Sequence, residues 1–167
     1  MKKRNEERSL RDPVCEMMVD PGQLAVDYRG RRYAFCSEQC RQRFLANPEL
    51  YVGLAGHKAP KQEGKKVWKR RRLRLSEPLT PESRMRLAEQ LESMMGIKGV
   101  DIEDQTIDIT YDLLEATEAQ IEQAIAGSGA ELGQGLATRL SRAFVQYLEE
   151  TEIESLAATP PTQHHGH

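Results

Sequence analysis

The sequence predicts an α+β chain made of two small units, on three observations. Short stretches alternate apolar and polar residues with the period of a strand, and others repeat apolar residues at the three- and four-residue steps of a helix. Capping residues, prolines and glycines stand between them. The charge also changes sign along the chain: residues 1–75 carry 19 Lys+Arg against 9 Asp+Glu, and residues 76–167 carry 5 against 17, beneath a formal net charge of −2. A shift of this size marks two surfaces of different character, and 167 residues allow two small domains.

Residues 1–10 are polar and are expected to be disordered. The first unit spans 11–53. It opens on the turn-like "RDPVC", where Pro13 biases Asp12 away from helix. "QLAVDY" and "RRYAFC" read as a hairpin with "RG" at its tip, and Tyr33 and Phe35 share one face. Ser37 is an N-cap for a helix over "EQCRQRFLAN", which Pro48 ends or restarts. Residues 54–66, rich in Gly, Lys and Pro, read as a linker.

The second unit spans 67–150. "VWKRRRLRLS" ends as a strand with Leu73 and Leu75 on one face and Arg72 and Arg74 on the other. Thr80-Pro81 starts a helix whose apolar face is expected to be Met85, Ala88, Leu91, Met94 and Met95, closed by Gly96 and Gly99. "VDIE" and "TIDITYD" form a hairpin. A second helix follows, capped by Thr117 and ended at Gly127 or Gly129, and "AEL" supplies a short fourth strand. The order β-α-β-β-α-β is that of ferredoxin-like domains. A last helix over 136–150 carries Leu136, Leu140, Phe144, Tyr147 and Leu148 on one stripe, and its acidic end calls for a basic neighbour. Residues 151–167 read as a flexible His-containing tail.

The composition excludes several functions. No run reaches the 18 or more apolar residues of a membrane helix. The charged start lacks the apolar core of a secretory signal, so the expected compartment is the reducing cytoplasm. There is no phosphate loop, no C-x-x-C and no paired-carboxylate motif, so the chain is expected not to be an enzyme.

Chemistry concentrates in three cysteines, Cys15, Cys36 and Cys40, spaced C-x20-C-x3-C. Cys36 and Cys40 stand at a strand-to-helix junction, close enough in a helical turn to share an ion. Thiolates are soft donors that favour Cu(I) or Zn(II). Three of them suit trigonal Cu(I), whereas Zn(II) normally takes a fourth ligand. No histidine lies inside the unit, and His57 is the nearest. Met17 is a soft fourth donor for copper. Arg32, Arg41 and Arg43 are expected to favour thiolate. The competing reading makes the cysteines small buried hydrophobes, although a unit this small usually needs a metal or disulfide. His164, His165 and His167 form a second, weaker imidazole site.

The segments "DPVCEMMVD", "YRGRRYAFCSEQCRQRF" and "NPELY" together resemble the YHS family, which overlaps the TRASH-like treble-cysteine modules. That resemblance implies a metal-binding domain over residues 11–52 with Cys15, Cys36 and Cys40 as its cysteines, and a setting beside heavy-metal transporters and metal-handling proteins. Glu16 stands where the family often has Gly, and Arg29 where it often has His. The second unit resembles heavy-metal-associated domains, but its first loop, "SEPLTPES", lacks their C-x-x-C. The resemblance therefore implies a fold kept for docking to a partner or to another copy, without its metal.

These readings lead to a soft-metal-binding protein, Cu(I) first and Zn(II) next, in trafficking, storage or sensing, with a metal transporter or chaperone, or a second copy, as partner. The alternative is a structural zinc module for protein interaction. The run "KKVWKRRRLR" with Trp68 suits nucleic acid less than an electrostatic contact with the acidic half.

Overall fold

A computed structural model describes residues 8–158. The first unit is short-stranded. β1 (Leu10–Arg11) pairs antiparallel with β2 (Met18–Val19), and β3 (Val26–Tyr28) pairs with β4 (Arg31–Tyr33). Arg29 and Gly30 at the second hairpin's tip have φ of 50° and 76°, the pair of left-handed residues that a type I′ turn requires. α1 (Glu38–Ala46) starts at Ser37, whose hydroxyl accepts the Cys40 N–H, and a 3-10 turn over Pro48–Leu50 follows it. The β1–β2 pair falls partly in the polar start that the sequence reads as disordered. Leu10 and Val19 are opposite each other there, each backed by too few residues for periodicity to register.

The second unit contains β5 (Trp68–Arg74), α2 (Pro81–Glu92), β6 (Ile97–Glu103), β7 (Thr106–Asp112) and α3 (Glu118–Gly127). The sheet order is β5-β7-β6, all antiparallel. The fourth strand shrinks to one bridge, Leu75 with Leu132, flanked by Ser76 N–H to Glu131 O (2.8 Å) and Gly133 N–H to Arg74 O (2.8 Å). With that bridge at the free edge of β5, the order is 4-1-3-2, and the arrangement is ferredoxin-like. Leu73, Leu75, Ile107, Ile109 and Tyr111 are buried on one face of the sheet, as the alternation predicts.

Three expectations are corrected. In α2 Leu91 is buried and Ala88 packs against the core as expected, but Met85 is exposed and Leu87 is buried in its place. Met94 and Met95 do pack against the core. Residues 54–66 are not an unpacked linker: Ala59 and Lys61 are buried, Lys61 N–H donates to Leu50 O at 2.9 Å, and Lys61 pairs with Glu115 at 3.6 Å. Gly53 permits this, because a Cβ there would meet His57 O at 1.9 Å. The last helix, α4 (Leu136–Ala158), continues well past residue 150. The stripe of Leu136, Leu140, Phe144, Tyr147 and Leu148 on it faces solvent.

Polar contacts fix α4 with that stripe outward. Buried Glu149 accepts the Glu118 N–H at 2.9 Å and the Tyr111 hydroxyl, and Ile153 is buried beside it. Arg71 approaches Glu149 at 3.6 Å, Lys69 pairs with Glu152 at 2.5 Å, and Arg142 pairs with Glu122 at 3.2 Å. Lys69 and Arg71 lie on the same face of β5 as Leu73, so part of the basic run is the neighbour that the acidic end of α4 calls for. Arg72 on the opposite face pairs with Asp108 at 3.0 Å.

The two units share one apolar core, continuous from Val14 to Ile153. Polar ties join them as well. The Gln39 side chain donates to Met95 O (2.9 Å) and Glu115 O (3.0 Å) and accepts from Met95 N (3.1 Å). Gln120 donates to Gln39 O at 3.1 Å, and Tyr51 Oη donates to Leu114 O at 2.5 Å. No helix among the described residues is long and apolar enough to cross a membrane.

Candidate metal centre

Two local structures bring the cysteines together. The first is the loop between β1 and β2. Asp12 N–H donates to Met17 O, and Glu16 N–H donates to Asp12 O, each at 2.8 Å, which turns the chain tightly around Cys15. Glu16 closes that turn with φ of 68°, the left-handed region where glycine is at ease. The second is the passage from β4 into α1, with Cys36 just before the N-cap and Cys40 in the first turn.

Asp12 ties the two structures together. It is fully buried. Its Oδ1 accepts from Val14 N (2.8 Å) and Cys15 N (3.2 Å), and its Oδ2 accepts from Cys36 N (2.8 Å). One carboxylate thus fixes the backbone under two of the three thiols. Sequence reasoning passed over this residue. The signal was present in "DPVC", since an aspartate commonly accepts the backbone N–H two residues on. Its reach to Cys36, 24 positions away, has no sequence signature.

The sulfurs form a compact group. Cys15 Sγ is 3.4 Å from Cys36 Sγ, which is 3.6 Å from Cys40 Sγ. With an Asp12 oxygen, one candidate ligand atom from each residue falls within 4.8 Å of all the others. Sulfurs bonded at about 2.3 Å to a tetrahedral ion stand roughly 3.8 Å apart, so small outward shifts would admit one. All three cysteines are free thiols; Cys40 is buried and the other two are partly exposed.

The thiols differ in acidity. Cys15 is held below the ordinary thiol value, chiefly by the hydrogen bond from Cys40 and also by the Met17 backbone N–H. Burial pushes Cys36 up to about 11. Cys40 is raised strongly, first by its hydrogen bond to Cys15 and then by burial. Cys15 is therefore the most acidic of the three thiols.

The arginines expected to activate the thiols are engaged elsewhere. Arg32 pairs with Asp27 and Arg41 with Glu38, while buried Arg43 lies beside Tyr51. Hydrogen bonds, not guanidinium charge, lower Cys15. The Met17 side chain is half exposed, and what ties this residue to the site is its main chain. Arg29 sits at the hairpin tip over the Tyr28 ring. His164, His165 and His167 lie outside the described residues.

An aromatic core backs the site. Phe44, one helical turn after Cys40, contacts Tyr28, Tyr33, Phe35 and Tyr51 at centroid distances of 5.2–6.2 Å. Through Gln39, the residue before Cys40, α1 is fastened to the second unit. That unit carries no cysteine and serves the centre as its platform.

Residues 10–55 match the model of the YHS domain family. A copper-transporting P-type ATPase of Rhizobium leguminosarum bv. viciae is 51% identical over 45 residues, which are 26% of this chain and 5% of that protein. The chain thus matches only a small part of that relative's length. Two solved structures are similar: the CsoZ metallochaperone (22% identity, 40% of this chain and 99% of that one, TM-score 0.38) and the N-terminal soluble domains of Bacillus subtilis CopA (20% identity, 41% and 48%, TM-score 0.38).

Proposed function

We propose that the chain binds a soft metal ion through Cys15, Cys36 and Cys40, Cu(I) in first place and Zn(II) next, and acts in metal trafficking, storage or sensing without catalysis. The observation that carries this reading is the clustering of three thiols and one carboxylate within 4.8 Å. Copper handling is also supported by the matched segment of a copper-transporting ATPase.

Cys15, the most acidic thiol and partly exposed, meets the ion first. Cys36 and Cys40 then give up their protons to complete a three-sulfur set. Asp12 holds the backbone, and Met17 is a candidate fourth donor for copper. Three-coordination leaves room for an incoming thiolate, so the ion passes to a transporter or chaperone by associative exchange. The second unit keeps the fold of a heavy-metal-associated domain without its thiol pair and holds α1 in place. The His tail is a weaker secondary site.

The structural-zinc alternative requires the ion for folding. The Phe44 aromatic core and the shared apolar core argue against that need.

The test is an anaerobic titration of the full chain with Cu(I) against a competing chelator, followed by circular dichroism before and after metal removal. The expected result is one Cu(I) per chain, loss of binding in Cys15→Ser, Cys36→Ser and Cys40→Ser, and an apo form that stays folded. Absence of stoichiometric Cu(I) binding with retained Zn(II), or unfolding on metal removal, would favour the structural module. Binding lost only when residues 164–167 are removed would transfer the site to the tail.

A further inference from the structure

The outward stripe of α4 is a large apolar feature with no partner among the described residues. Leu136, Leu140, Phe144, Tyr147 and Leu148 are 74%, 61%, 60%, 63% and 45% exposed. The helix has no freedom to turn them inward, because Glu149, Ile153 and Arg142 occupy the inward face. The stretches "MKKRNEE" and "TPPTQHHGH" contain a single large apolar residue between them, Met1.

We propose that α4 pairs antiparallel with α4 of a second copy of this chain. Three features of the helix specify that occupant. Leu136, Leu140, Phe144 and Leu148 follow four-residue steps, the ridge by which two helices interlock. Their exposed area with Tyr147 is on the order of 600 Å² per copy, so a pair buries about 1,200 Å², where specific protein interfaces begin. The flanking charge is self-complementary. Arg139 and Glu150 are eleven residues apart, close to three full turns, and so lie on one flank, both exposed. A two-fold axis between residues 144 and 145 sets Arg139 of one copy opposite Glu150 of the other, twice by symmetry. Phe144 and Tyr147 lie beside the axis, the position where anchor residues dominate an interface.

An anionic membrane surface fits the stripe less well. The C-terminal half of α4 carries Glu150, Glu152 and Glu154, whereas helices that bind such a surface are rich in Lys and Arg on the polar face.

Sedimentation velocity of the full chain over a wide concentration range is the test, with far-UV circular dichroism to establish that each variant is folded. Wild type should form dimers that dissociate on dilution, and Phe144→Glu should be monomeric throughout. Arg139→Glu should weaken the dimer about ten-fold, through two lost pairs and two new repulsions. The double variant Arg139→Glu/Glu150→Arg should restore it. Should Phe144→Glu fail to fold, the charge variants decide alone. The proposal is overturned if wild type is monomeric at every concentration, if the double variant is no tighter than the single one, or if monomeric wild type co-sediments with phosphatidylglycerol vesicles.

Discussion

Replacing Asp12 with asparagine tests whether one carboxylate holds the candidate metal centre in shape. Asp12 accepts three backbone N–H groups, two on Oδ1 and one on Oδ2. Asparagine has one acceptor oxygen and an NH2 in place of the other. Oriented to keep Val14 and Cys15, it turns N–H against N–H at Cys36 and leaves that donor unmatched beside a fully buried side chain. A hydrogen bond to a charged group is worth about 1.5–3 kcal/mol, and a stranded buried donor costs a similar amount, so a net loss of roughly 2 kcal/mol is expected. With a urea slope of about 2 kcal/mol/M, the unfolding midpoint of the metal-free chain falls by about 1 M. The same loss frees the Cys15 turn from Cys36. Removing a group that orients metal ligands lowers affinity by about 10- to 100-fold, and Cu(I) competition reads that directly. A midpoint within about 0.2 M of wild type together with unchanged affinity would refute the tethering role.

Other consequences follow from single positions. Gly53→Ala drives a Cβ into His57 O and Ala59 N and should open residues 53–61, costing about 2–4 kcal/mol; hydrogen exchange at the Lys61 amide reports the opening. Tyr51→Phe removes the hydroxyl that reaches Leu114 O between the units and should cost about 1–3 kcal/mol in urea unfolding. Glu118, buried and facing Glu122 and Glu149 with Arg71 and Arg142 opposed, is pushed from the ordinary 4.5 up to about 7, burial being the first cause. The folded chain then binds this proton more tightly than the unfolded one, so this group's contribution to stability falls as pH rises from 4.5 to about 7. Glu118→Gln should flatten that slope in urea unfolding at different pH values, gaining about 1–2 kcal/mol at alkaline pH and little in acid.

Much of the local structure was legible because its causes are local. Ser37, Thr80 and Thr117 cap their helices, each accepting a backbone N–H three residues on. The β7 alternation placed Ile107, Ile109 and Tyr111 in the core. The cysteines were singled out by spacing and chemistry, and the structure brings all three together. What periodicity missed were the two-residue strands, too short to show a period, and the packing of residues 54–66, which depends on a close approach at Gly53.

The amino-acid sequence by itself determined the order of the longer elements and their helix caps, because each depends on residues a few positions apart, and its chemistry marked Cys15, Cys36 and Cys40 as candidate donors. Tertiary structure decided the rest. The α4 stripe is legible in the sequence as an apolar row, but which way it faces is not; it lies in solvent because Glu149, Lys69, Arg71 and Tyr111 make a polar contact that fixes the opposite face inward. Only the tertiary structure could bring Asp12 beneath Cys36, 24 positions away, since a buried carboxylate takes whichever N–H groups the fold presents to it.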